Sequence, residues 1–196
     1  VVMRVDSASD RPGSCGKPAT LCDVRIVSDA GTDVNDGESG ELWVRGPNIL
    51  SSYWRNPNAT SESITDGWFH TGDVGHQDSE GWIYIDDRKK DLVISGGENI
   101  YPAELENVLA ESALLLEATV VGAPDSRWGE VPVVVAVAAP GTEQNSQAVL
   151  DLFRGKVAPF KYPKQVIWTN ELPRNVMGKV LKHEVRGLIS SDQTST

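Results

Sequence analysis

Histidine and cysteine are scarce in this chain of 196 residues, with three of the first and two of the second. So few ligand side chains, at no recurring spacing, make no case for a metal centre. Cys15 and Cys22 set up no disulfide framework, and without a signal peptide ahead of them two reduced thiols in a cytoplasmic protein are expected. Long apolar runs are missing as well. The longest, Val131 to Ala139, is of strand length and contains Pro132, so no membrane span is expected. Positive charge is in short supply: a net charge of -10 argues against a general binder of nucleic acid or of membrane surfaces.

Eighteen glycines and eleven prolines suit a turn-rich mixed fold, and the length allows one moderate domain or two small ones. The charge is unevenly spread. Between Arg154 and Arg186 eight Lys and Arg stand against two acids, a local charge of +6 that fits a small anionic ligand better than a polyanion.

Leu21–Ser28 and Glu41–Gly46 are short alternating runs joined by an acidic, glycine-bearing segment, which predicts two antiparallel strands. Trp82–Ile85 predicts another, so the first part reads as β-rich. Asp86–Asp91 (DDRKKD) has no apolar residue and is expected to be a surface connection and a domain boundary, although a plain charged turn has the same composition. Beyond it, Pro102 opens a helix with Leu105, Val108 and Leu109 on one face. Ala118–Val121, Val131–Val137 and Gln165–Thr169 predict strands, and Ser146–Val157 and Lys179–Leu188 predict helices. The whole is an α/β (α+β) protein. The tail, residues 190–196, has nothing to pack and is expected to be disordered.

Three stretches carry chemistry. In GWFHTGDVG, the ionised Asp73 only accepts, and its two oxygens can take two neighbouring hydroxyl protons, as from a ribose. Alone, such a triplet is more often a turn. Fifteen residues on stands Arg88, a rigid fork for phosphate or ribose oxygens. In SGGENIYP, Gly96-Gly97 is either a tight turn or a place where a long thin ligand lies against the backbone. In LPRNVMGKVLKHE, Gly178-Lys179 reads most simply as a punctuated helix start with a solvated lysine.

In this order, GELWVRGP, DGWFHTGDVG, GWIYIDDRKKDLVISGGENIYPAELE, PDSRWGE, FKYPK and LPRNVMGK resemble the AMP-forming acyl-CoA synthetases of the adenylate-forming superfamily, from about Gly13 to Leu188. The resemblance implies ATP/AMP and CoA as cofactors, and a small-molecule carboxylic acid, fatty or aryl, as substrate. It also implies a missing N-terminal domain with the phosphate loop, the acyl pocket and the Mg2+ ligands. Val1 would fall just after that domain's Thr-Glu motif. Residues 1–87 would then be the last β-rich subdomain of the N-terminal part, 88–90 the hinge, and 91–196 a mobile C-terminal domain.

Carried over onto this sequence, Asp73 would hold the ribose hydroxyls of ATP and Arg88 the same nucleotide, with Lys90 at the hinge. Gly96 and Gly97 would line the pantetheine channel; Trp128, Phe160 and Lys164 would hold the CoA nucleotide. Lys179 would neutralise the carboxylate and the α-phosphate as they are pushed together, which demotes the helix-start reading. A swing of the C-terminal domain would withdraw Lys179 and bring up the Gly96-Gly97 face for the thiol. Two alternatives stand beside this: a non-catalytic CoA- or nucleotide-binding module, and an adenylation domain that loads a carrier protein.

Overall fold

The valine-rich run of the second half becomes the spine of one of two sheets. In the computed structural model, which describes residues 10–192, the chain divides into two compact units, Val1–Lys90 and Asp91–Thr196.

The first unit is a six-stranded sheet. Its strands are β1 (Ser14–Gly16), β2 (Asp23–Val27), β3 (Gly40–Arg45), β4 (Ile64–Thr65), β5 (Trp68–Gln77) and β6 (Ile83–Arg88), in the order β1-β6-β5-β3-β2 with β4 beside β5. The antiparallel β2–β3 pair runs from Asp23↔Arg45 to Val27↔Glu41. A short helix, α1 (Pro57–Ser63), is capped by the Asn56 side chain, which accepts from the Ala59 N–H at 3.1 Å. The core is thin, centred on Ile26, Leu42 and Ile83.

In the second unit, β10 (Gly129–Ala138) pairs antiparallel with β9 (Leu115–Asp125) along its whole length, and its Val133–Ala136 stretch pairs in parallel with β11 (Gln165–Trp168). The hairpin of β7 (Val93–Ser95) and β8 (Glu98–Ile100) meets the start of β10 through Ser95↔Gly129. Both faces of β10 are covered, so its run is continuously apolar rather than alternating. Val134 and Ala136 join a core with Leu105 and Leu109 of α2 (Pro102–Ala110) and Val149 of α3 (Ser146–Asp151). Val133, Val135 and Val137 join a second core with Val185 and Ile189 of α4 (Lys182–Asp192). Phe153, fully buried just past α3, anchors the first of these.

Four sequence expectations change. β6 runs on through Asp86–Arg88, because Asp87 and Arg88 find partners in Val74 and Asp73 of β5; only Lys89–Asp91, a 3-10 turn, stays outside the sheets. α3 stops at Asp151 rather than Val157, where i→i+3 turns take over and Gly155 has φ +72°. α4 starts at Lys182, not Lys179, since the backbone before it is committed to a loop. The tail expectation is overturned for residues 190–192, which continue α4; residues 193–196 and the opening 1–9 lie outside the described residues.

Candidate active site

The Asp73 turn is made by a mismatch in strand register. β3 and β5 pair at Glu41↔Val74 and at Trp43↔His70, so Thr71, Gly72 and Asp73 stand opposite Leu42 alone. The surplus loops out, as bulges near functional sites do, and Gly72 takes φ +71° with open space where a Cβ would lie. Thr71 pins it: its hydroxyl donates to the Leu42 carbonyl at 2.8 Å and accepts from the Asp73 N–H at 3.0 Å. The Gly72 N–H donates to Glu41 Oε1 at 3.2 Å. On the other side of β5, Asp73 is the direct register partner of Arg88, whose Nε lies 2.7 Å from the Asp73 carboxylate. Two residues fifteen apart in sequence thus become one ion pair, half open to solvent on the arginine side. An acceptor pair of oxygens, a guanidinium and open space over Gly72 suit a ribose.

Gly96 and Gly97 are the two central residues of the β7–β8 hairpin, both with positive φ (+62° and +89°), the two-residue turn that favours Gly-Gly. The pair is therefore required first by the backbone. Beyond that the two differ. A Cβ on Gly96 would lie 2.8 Å from the Trp128 ring, whereas one on Gly97 would meet nothing within 4 Å. Trp128 roofs Gly96, and its carbonyl accepts from the Gly96 N–H at 2.8 Å. Trp128 is 42% exposed, and the Arg127 guanidinium lies 4.7 Å from its ring centroid. The Arg127–Trp128 turn is held by Asp125, which accepts both backbone N–H groups at 2.8 and 2.9 Å. Those two bonds hold the Asp125 carboxyl below the usual aspartate range, with Arg127 and Lys164 adding to it. Lys164 is set by its own N–H, which donates to the Pro132 carbonyl at 2.9 Å. Phe160, half exposed, sits on a 3-10 turn (Pro159–Lys161) and makes no ring contact with Trp128.

Lys179 is on a self-bound loop. Arg174 and Val180 form an isolated antiparallel bridge. Within it, Asn175 Oδ1 accepts from the N–H groups of Met177 and Lys179 at 3.0 and 2.9 Å, and the Asn175 N–H donates to the Lys179 carbonyl at 2.9 Å. Arg174 donates to the Gly178 carbonyl at 2.6 Å and pairs with Glu117. Gly178 has φ +81°, which closes the turn, and Val176 and Met177 project fully into solvent.

The basic region from Arg154 to Arg186 is largely cancelled. Six of its eight cations pair with carboxylates: Arg154 with Asp151, Lys156 with Glu111, Lys161 with Glu104, Arg174 with Glu117, Lys182 with Glu106 and Arg186 with Asp91. The +6 patch read from the sequence is thus corrected to two cations without an ion pair among the described residues, Lys164 and Lys179. Those two belong to different surfaces. The Gly96–Trp128 cluster caps the turn of the β9–β10 ribbon, where Asp125 faces Gly129; the Lys179 loop is tied to Glu117, which faces Val137 at the other end. Eight strand steps of about 3.3 Å separate them, roughly 25 Å.

Sequence reasoning missed Glu41, Asp125, Arg174 and Asn175, the residues that hold the others in place. For Asn175 a signal existed, an Asn three residues before a Gly in a loop. Among the described residues no group of His, Cys, Asp and Glu is placed to hold a metal ion, and no helix is long and apolar enough to cross a membrane.

The chain is a mixed α/β protein with an acceptor turn at Asp73 paired to Arg88 and a lysine on a self-bonded loop, and comparison with known proteins gives its class. Residues 104–179 match the family described as AMP-binding enzyme C-terminal domain, and residues 1–54 match AMP-binding enzyme. The chain is 50% identical over 183 residues to an indoleacetate–CoA ligase of Aromatoleum aromaticum, covering 93% of this chain and 36% of that protein. It is 46% identical to a feruloyl-CoA synthase of Amycolatopsis, covering 94% and 38%. Its fold matches o-succinylbenzoate CoA synthetase from Bacillus subtilis, solved with its acyl-adenylate intermediate, at a TM-score of 0.86 and 38% identity, covering 94% of this chain and 37% of that one. The chain belongs to the AMP-binding, adenylate-forming enzymes. It spans a little over a third of the length of the relatives it matches.

Proposed function

We propose that this chain supplies the C-terminal portion of an AMP-forming acid–thiol ligase, which converts a carboxylic acid, ATP and CoA into acyl-CoA, AMP and pyrophosphate through an acyl-adenylate. The observation that carries it is the pair of chemically different surfaces at opposite ends of the β9–β10 ribbon. Two reactions of opposite need are served by two tools too far apart to act on one centre together.

For the first, the carboxylate must approach the α-phosphate, and the unpaired ammonium of Lys179 neutralises the charge that grows between them. Asp73 accepts from the ribose hydroxyls, and Arg88, already beside it, supports the same nucleotide. For the second, Lys179 must leave. The open face of Gly97 and the Trp128 roof over Gly96 then guide the pantetheine arm, while Trp128, Phe160 and Lys164 take the CoA nucleotide. We place the swivel at Lys90, in the 3-10 turn at the junction of residues 1–90 with 91–196. Residues 1–90 are assigned to the N-terminal part, whose remaining portion supplies the acyl pocket, the phosphate loop and the Mg2+ ligands. The substrate is assigned as an aryl acid, supported by relatives named for indoleacetate and ferulate. The free thiols of Cys15 and Cys22 suit a cytoplasmic setting.

The test is to supply the complete enzyme with ATP, Mg2+, CoA and a panel of aryl and fatty acids. AMP and an acyl-CoA should appear together, fastest with an aryl acid. AMP release that ignores CoA, or transfer only to a carrier protein, would remove the thioester assignment.

A further inference from the structure

One carboxylate touches both the nucleotide turn and the residue that leads into the junction. Glu41 lies on β3 with its side chain only 11% exposed. Its Oε1 accepts from the Gly72 N–H at 3.2 Å, and its Oε2 accepts from the Lys89 ammonium at 3.2 Å. Gly72 is the middle residue of the Thr71–Asp73 bulge, and Lys89 sits between Arg88 and Lys90. Lys89 also pairs with Asp29 at 3.0 Å, but that side chain is 83% exposed. The exposed pair is screened by water. The buried carboxylate is different in kind: losing either partner leaves an oxygen without a donor away from solvent. Burial pulls the Lys89 ammonium down, its bonds with Asp29 and Glu41 outweigh that, and its pKa is raised. The Lys89 ammonium therefore stays charged across the neutral range.

We propose that Glu41 is a positioning residue that couples occupancy of the nucleotide turn to the order of the chain at Lys89 and Lys90. The inference rests on the reading of Asp73 as a ribose ligand. A ribose bound there fixes the bulge, the fixed Gly72 N–H holds the Glu41 carboxylate, and the other oxygen holds Lys89. An empty turn leaves Glu41 free to follow the bulge, and Lys89 with it. The nucleotide thereby stiffens Lys89 and Lys90 without touching either.

The experiment uses the complete enzyme, AMP as probe, and trypsin, with cleavage after Lys89 and Lys90 located by mass spectrometry. Saturating AMP is expected to slow that cleavage about fivefold or more, the lower end of ordinary coupling between sites. Glu41→Gln keeps an acceptor for Gly72 but loses the ion pair, and its cleavage should respond to AMP by less than twofold. Asp29→Asn should cleave faster at rest yet keep the AMP response. An undiminished response in Glu41→Gln, or an equal loss in Asp29→Asn, overturns the coupling. A calorimetric AMP titration separates two failures. If AMP binds, Asp73→Ala weakens it and cleavage still does not respond, the coupling is wrong and the nucleotide turn stands. If AMP does not bind, or binds Asp73→Ala equally, the nucleotide assignment falls and takes the coupling with it.

Discussion

Asp73 is presented by a sheet, Lys179 by a loop bonded mainly to itself. The aspartate stands on a bulge whose pins come from neighbouring strands: Leu42 and Glu41 from β3, Arg88 from β6. It cannot move without the sheet. The lysine stands on the seven residues from Arg174 to Val180, clipped by Asn175 and Arg174 and tied down by Arg174 to Glu117 and by Val180 against the second core. Its apolar tip, Val176 and Met177, is fully exposed. Under the proposed function, the difference matches a group that stays with the nucleotide and a group that is delivered for one step. A ligand held through a whole reaction sequence needs the first kind of support; a charge needed for one step and unwelcome in the next needs the second.

The strongest way to break that comparison is Lys179→Ala in the complete enzyme. Loss of one preorganised charge should lower the rate of adenylate formation on the order of a hundredfold or more, with little change in thioester formation from supplied acyl-adenylate. Equal loss in both half-reactions would make the lysine structural. Gly97→Leu should invert the pattern. The side chain enters space that is open now, and displacing the thiol arm by even about 1 Å can cost roughly a hundredfold. Because φ +89° strains any side chain there, Gly97→Ala is the control; if alanine does as much as leucine, strain and not occlusion is being measured.

Asn175→Ala sharpens the contrast further. It removes an acceptor from two backbone N–H groups, each bond worth about 0.5–1.5 kcal/mol, so adenylation should fall about tenfold with the lysine still present. Asn175→Asp keeps the acceptor and should restore most of the rate. The same Asn→Ala change is expected to leave AMP binding at Asp73 untouched, and a matching loss there would show that the two supports are not independent. The smallest effect concerns pH. Asp125 has its carboxyl held below the ordinary aspartate value, so its hold on the Arg127–Trp128 turn is complete above about pH 4 and is lost as pH falls through the depressed value. Trp128 fluorescence should be flat from neutral pH down to the ordinary aspartate range and change below it, and the low-pH change should be absent in Asp125→Asn, which has no carboxyl to titrate.

The long buried strands were legible because valine runs with glycine or proline at their margins leave little else, and Pro102 marked its helix by rule. The mixed fold class followed from that alternation. What the sequence hid was pairing. Asp86–Arg88 look like loop, yet Arg88 joins β6 because Asp73 and Val74 offer it and Asp87 a ladder; a neighbour fifteen residues away overrides local polarity. The helix expected from Lys179 begins later because Asn175 claims the amides first. In the same way, a charge count over residues 154–186 could not see carboxylates arriving from Asp91, Glu104, Glu106, Glu111 and Glu117. Motif residues were visible one at a time; the residues that aim them were not.

The β9–β10 ribbon is also a gauge of fixed length. Alternate side chains of β10 serve two separate cores, Val134 and Ala136 one, Val133, Val135 and Val137 the other. Inserting or deleting one residue would exchange every contact between the two, so the ribbon can lengthen or shorten only in steps of two residues, about 6.6 Å at a time. Any adaptation to a bulkier adenylate or a longer thiol arm must then be made in the end pieces, in the turn at Arg127–Trp128 or in the residues from Arg174 to Val180. Chain-length variation among such enzymes should gather at those two loops and be nearly absent between Leu115 and Asp125.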